Sequence, residues 1–143
     1  MFSSELNAGY WALRIAFGLG PLLAGMDKFT NILVNWEQYL NPRVLEIVPV
    51  NATTFMQIVG GIEIVAGCAI LAGASQTFGY IVMLWLVGIA ANLISMGAYL
   101  DIAVRDLLLA CGAYALARVT EARRLSGIVI DSEIDRDEFR RAA

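Results

Sequence analysis

The chain has 143 residues, 59% of them hydrophobic, a formal net charge of −3 and no histidine. With a positive mean hydropathy, that is more apolar surface than one soluble domain of this length readily buries. No basic stripe with interleaved aromatics is present, which argues against a nucleic-acid partner, and the missing histidine removes the usual haem and copper ligands and the commonest proton shuttle.

Four apolar stretches, 8–26, 55–73, 78–100 and 102–119, are each about 18 to 23 residues long, enough at ~1.5 Å per residue to cross a ~30 Å hydrocarbon core. The fold expected is an all-α integral membrane protein, a four-transmembrane-helix bundle occupying residues 1–125, with a cytoplasmic tail of mixed charge at 126–143. The first ten residues carry only Glu5 as a charge, unlike a basic-ended secretory signal, so the first stretch is expected to remain as a helix.

In that first stretch Pro21 removes a hydrogen bond to Phe17 and predicts a kink. Arg14, Gly18, Pro21, Gly25 and Lys28 recur at three- and four-residue steps on one face, which must point inward because lipid tolerates Arg14 badly. The long connection that follows contains Trp36, Tyr39, Leu40, Leu45, Ile47 and Val48. It reads as an interfacial amphipathic segment, with a lid over the bundle as the alternative.

The second and third stretches are joined by 74–77 and the third and fourth around Leu100 and Asp101, so consecutive helices are antiparallel neighbours. Glu63, Asn92, Arg105 and Asp106 interrupt these stretches with polar groups. Helix rise places Lys28, Glu63, Asn92, Arg105 and Asp106 in the outer half of the bundle and Arg14 in the inner half. Lys28 with Asp106 is the better-aimed ion pair, Arg14 with Glu63 a second possibility. Lys28 and Arg105 are read first as snorkelling charges. A carboxylate as deep as Glu63 must be charge-paired or protonated, and is a candidate for a ligand or proton site.

Cys68 and Cys111 are read as small packing residues, too different in depth for a disulfide. Small-residue steps Ala69 with Gly73, Ala91 with Ser95 and Ala113 with Ala117 suit close helix contact within the bundle or between proteins. In the tail Asp131, Glu133, Asp135 and Asp137 precede Arg140 and Arg141, a charge order suited to a short helix. Arg136 stands where a calcium loop needs glycine, so no EF-hand is expected and no metal site is assigned. Arg118 at the end of the last stretch and Arg123 and Arg124 just after it place both termini in the cytoplasm.

Leu13-Arg14, Gly18, Gly25 and Lys28, then Glu63 with Gly67 and Gly73, then Arg105-Asp106 together resemble the pattern of the DoxX family of small bacterial four-helix membrane proteins. The resemblance covers roughly residues 8 to 119 and implies a protein of the bacterial cytoplasmic (inner) membrane. It also implies an accessory role in a respiratory or redox complex, of the kind linked to thiosulfate:quinone oxidoreductase. The family's polar positions fall on Arg14, Lys28, Glu63 and Asp106. The sequence carries no cofactor motif and no catalytic set. The expected function is therefore a non-catalytic subunit contacting membrane lipid, quinone and a larger membrane complex. The alternative is a protein that binds or transports a small amphipathic ligand or proton in a polar cavity in the outer half of the bundle; the candidate ligand-binding or polar-cavity residues are Arg14, Lys28, Glu63, Asn92, Arg105 and Asp106.

Overall fold

A computed structural model describes the backbone of residues 4–142 and the side chains of residues 4–127. Five α-helices and one short 3-10 turn make up this part of the chain, in the order α1 (Ser4–Asp27), the turn Trp36–Tyr39, α2 (Pro42–Ile47), α3 (Ala52–Ala72), α4 (Ser75–Met96) and α5 (Leu100–Ala142). No strand occurs among the described residues. The four apolar stretches fall on α1, α3, α4 and α5. Two of these helices, α3 and α4, are long and apolar enough to cross a membrane.

Local chemistry sets the helix ends. Asn51 caps α3 by accepting from the Thr54 amide at 2.7 Å, and α3 stops at Gly73, whose φ of 113° is in the left-handed region. The break between α4 and α5 lies at 97–99 rather than at the expected 100–101. Gly97 and Tyr99 both have positive φ there, 66° and 57°, which no α-helix continues through. α1 runs on through Pro21 as a single helix to Asp27. α5 likewise continues through Ser126 and Gly127, where the sequence suggested a boundary between bundle and tail. The tail side chains Asp131, Glu133, Asp135, Asp137, Arg140 and Arg141 lie outside the described residues.

The helices associate chiefly as two pairs, α1 on α3 and α4 on α5. The first pair touches backbone to backbone. A Cβ at Gly25 would sit 2.5 Å from the Gly60 carbonyl oxygen, and one at Gly67 would sit 2.5 Å from that of Gly18, so only glycine permits this approach. In the second pair Gly79 meets the Cβ of Ala117 and the carbonyl of Ala113. Ala113 and Ala117 are therefore spent inside the bundle, fully buried, and are not available for contact with another protein.

Tyr10, Phe17, Ala66, Ile70, Val82, Ala113 and Leu116 form the core where the two pairs meet. A second cluster, Ala90, Leu93 and Ala103, lies between α4 and α5, with Tyr39 of the connection packed on it. Cys68 and Cys111, read from sequence as packing residues, are exposed free thiols. Each falls on the outward side of its helix, away from the contact stripes set by Gly67 and Ala113.

Candidate functional site

The last turn of α1 and the connection after it build a densely hydrogen-bonded polar cluster. Lys28 follows α1 directly and its side chain turns back into the bundle, donating to Glu63 Oε2 at 2.5 Å. Only 5% and 8% of the two side chains is exposed. The other carboxylate oxygen of Glu63 accepts from the Trp85 indole N–H on α4 at 3.3 Å. Trp36 covers the pair, with the Lys28 ammonium 3.7 Å from its ring centroid, a cation–π contact strengthened by the absence of water.

Trp36 is held in place by Asp27. Its indole N–H donates to Asp27 Oδ2 at 2.7 Å, while Asp27 Oδ1 accepts from the amides of Ile32 and Leu33 at 2.9 and 3.0 Å and from the Thr30 hydroxyl at 3.2 Å. Asp27 lies past the apolar stretch that ends at Met26. Burial pushes its carboxyl upward, but the donors from Leu33, Trp36, Ile32 and Thr30 together outweigh it and hold Asp27 below the ordinary aspartate value.

The ion pairs expected from sequence are not the ones formed. Lys28 pairs with Glu63 rather than Asp106, because α1 is seated on α3 and the Lys28 Cβ stands against Gly60, one turn before Glu63. Asp106 belongs to α5, whose main neighbour is α4. It is buried, and among the described residues its one ionic contact is Arg105 at 3.5 Å, whose own side chain is 65% exposed. Arg105 thus faces outward and is not part of the buried cluster.

Arg14 does not reach Glu63 either. Its Cβ points toward the start of α1, and its guanidinium donates to the carbonyls of Ile70 and Leu71 at 3.1 and 2.6 Å and to the Tyr10 hydroxyl at 3.1 Å. It therefore caps the C-terminal end of α3, adding to the Gly73 amide and Ser75 hydroxyl that also donate to the Ile70 carbonyl. Asn92 also has a separate task. Its amide donates to the Tyr39 carbonyl at 2.7 Å and its oxygen accepts from the Asn41 amide at 3.2 Å, while Asn41 donates to Ser95 at 2.9 Å. These bonds fasten the first connection across the end of α4.

The structure thus brings Lys28 and Glu63 together and distributes Arg14, Asn92, Arg105 and Asp106 to other places. It adds Asp27, Trp36 and Trp85, which the sequence reading did not select. Trp85 had a usable signal: it lies on the next helix at the depth of Glu63, and a buried indole N–H needs an acceptor.

Two grooves flank this cluster without including it. One of about 310 Å³ is bordered by Asn41, Pro42, Arg43, Ser95 and Met96. The other, about 490 Å³ and apolar, runs between α3 and α4 past Ile58, Ile62, Val65, Phe78 and Ile81.

Chemically, Lys28 and Glu63 form a buried, hydrogen-bonded ion pair covered by the Trp36 ring. Among the described residues every buried side-chain nitrogen and oxygen has a partner, and no three His, Cys, Asp or Glu side chains converge as a metal site requires. Comparison with protein-family models, with curated proteins and with solved structures finds no match for this chain.

Proposed function

We propose that this chain is a four-span helical bundle of the bacterial cytoplasmic membrane, DoxX-like in kind, and that it serves as a non-catalytic accessory subunit of a quinone-linked redox complex. One observation carries the membrane reading. Only 33% of the apolar window of α3 and 22% of that of α4 is buried inside the bundle, whereas the core helix of a soluble protein hides most of its apolar surface. Exposed Leu23 on α1 and Val104 and Leu108 on α5 continue the apolar exterior that Val65 and Leu84 present on α3 and α4, and hydrocarbon is the solvent that suits it.

An accessory role accords with how the polar groups are used. Lys28 and Glu63 neutralise one another, Arg14 caps α3, and Asn92 fastens the connection, so each has a structural occupation. Purification in mild detergent, followed by identification of co-purifying proteins, haem and quinone, tests the proposal. A larger assembly supports it, and removal of residues 131–143 should lower recovery of that assembly while the bundle still inserts.

The apolar groove between α3 and α4 favours a second reading, in which the protein binds a small amphipathic ligand or passes a proton. The groove borders α3, whose inner side holds Glu63. A chain that migrates alone in detergent and binds such a ligand tightly would replace the accessory reading with this one.

A further inference from the structure

Four arginines gather at the end of the bundle where α1 begins, and one of them has no polar partner. Arg14 is occupied by the α3 carbonyls and Tyr10, Arg118 by Glu121, and Arg124 by the Gln76 amide oxygen at 3.0 Å. Arg123 makes no hydrogen bond or ion pair among the described residues. Its guanidinium lies 4.5 Å from the Tyr10 ring centroid and 6.0 Å from that of Trp11. The Tyr10 ring is itself buried and turned edge-on to Trp11 at 5.6 Å. The Arg123 guanidinium thus lies against an aromatic platform, which Arg14 also approaches at 5.8 Å from Tyr10 and 4.8 Å from Trp11, with its N–H donors unspent.

An apolar track begins at the same place. Trp11, Ile15, Leu19 and Leu23 follow one another at four-residue steps on α1, and all are exposed, Trp11 at 43%. Residues at this spacing line one face of a helix. The track runs from the arginine end along α1 and past its middle, and indole rings favour the boundary between headgroup and hydrocarbon.

We infer that Arg123, on its Tyr10 platform and at the foot of the Trp11–Ile15–Leu19–Leu23 track, is the phosphate contact of a site for an anionic phospholipid. The inference rests on the membrane reading above. Arg123 lies four residues past Val119, ~6 Å by helix rise, which is the depth of the headgroup layer beyond a ~30 Å core. A guanidinium offers a phosphate two parallel N–H donors, and the track accepts the acyl chain that a free phosphate lacks. Among the residues with described side chains, two acids stand at this end: Glu121 is engaged by Arg118, and Glu5 accepts from Ser4.

The test uses the full chain in nanodiscs containing equal phosphatidylglycerol and phosphatidylcholine, with retained lipid counted by native mass spectrometry after gentle delipidation. The expected result is preferential retention of phosphatidylglycerol. Arg123→Gln should cut that preference about fivefold, the factor for one arginine at an anionic surface, and Arg123→Lys should keep part of it. Arg43→Gln, in the connection at the opposite end, should change nothing. Inorganic phosphate should not displace the lipid, and added salt should weaken retention in the unmodified protein. Equal retention of the two lipids overturns the inference, as does an unchanged preference in Arg123→Gln or displacement by inorganic phosphate. Should Arg123→Gln not fold, the lipid comparison and salt response of the unmodified protein decide. Failure of the chain to enter nanodiscs at all would instead remove the membrane reading.

Discussion

Lys28 Nζ stands 2.5 Å from Glu63 Oε2, with both side chains more than nine-tenths buried, so the C-terminal end of α1 is tied to the middle of α3 by a charge pair out of contact with water. Such a pair contributes little net stability compared with well-packed apolar side chains, but breaking it leaves one charge uncompensated.

Single replacements Lys28→Met and Glu63→Gln should therefore each destabilise the bundle by about 3–5 kcal/mol, and the double replacement should recover most of the loss. Reversible unfolding in mixed detergent micelles measures all three. Additive losses in the double variant would show that the two residues do not act as a pair.

Gly25 predicts a steric effect of different origin. Any side chain there meets the Gly60 carbonyl oxygen, so Gly25→Val should cost about 1–3 kcal/mol by forcing α1 from α3. Gly20→Ala, where an added Cβ meets nothing within 4 Å, should be neutral or slightly stabilising. The same unfolding assay compares them, and equal behaviour at the two sites would contradict the close approach.

Asp27 predicts a pH dependence. Its folded-state carboxyl is held below the ordinary value of 3.8, so its contribution is fully present above about pH 4 and is lost as the pH falls through the lower, folded-state value. Amide exchange at Ile32 and Leu33, corrected for intrinsic rates, should lose protection on acidification below about pH 4. In Asp27→Asn the protection should be weaker throughout and independent of pH in that range. A wild-type profile in the asparagine variant would remove Asp27 as the organiser of this loop.

Topology is open to a direct measurement. With Cys68 and Cys111 replaced, a single cysteine placed at Asn35 should react with an impermeant reagent added to intact cells, and one at Ser126 should not. The reverse pattern would turn the bundle over and move Arg123 to the other leaflet.

Helix content and approximate limits were legible along the chain because they depend on local chemistry, namely apolar stretches of sufficient length, whereas the cap at Asn51 and the stop at Gly73 were identified from the structure. The candidate site was legible only in part. Depth arithmetic put Lys28 and Glu63 in the same half of the bundle, and the two do meet, yet it matched Lys28 to Asp106, since depth says nothing about which helices are neighbours. That adjacency depends on where Gly25 meets Gly60 and Gly79 meets Ala113 and Ala117, contacts between residues far apart in sequence.

Trp36 and Asp27 were missed for a related reason. The connection was recognisable as aromatic and amphipathic, but its course depends on one carboxylate gathering the N–H groups of Ile32, Leu33 and Trp36 together. Periodicity and composition specify which segments are helical and apolar, because those properties follow from each residue and its near neighbours. Packing decides which charge answers which, because a long side chain such as Lys28 or Arg14 reaches several acceptors and takes the one that the backbone approach of another helix brings within hydrogen-bonding distance.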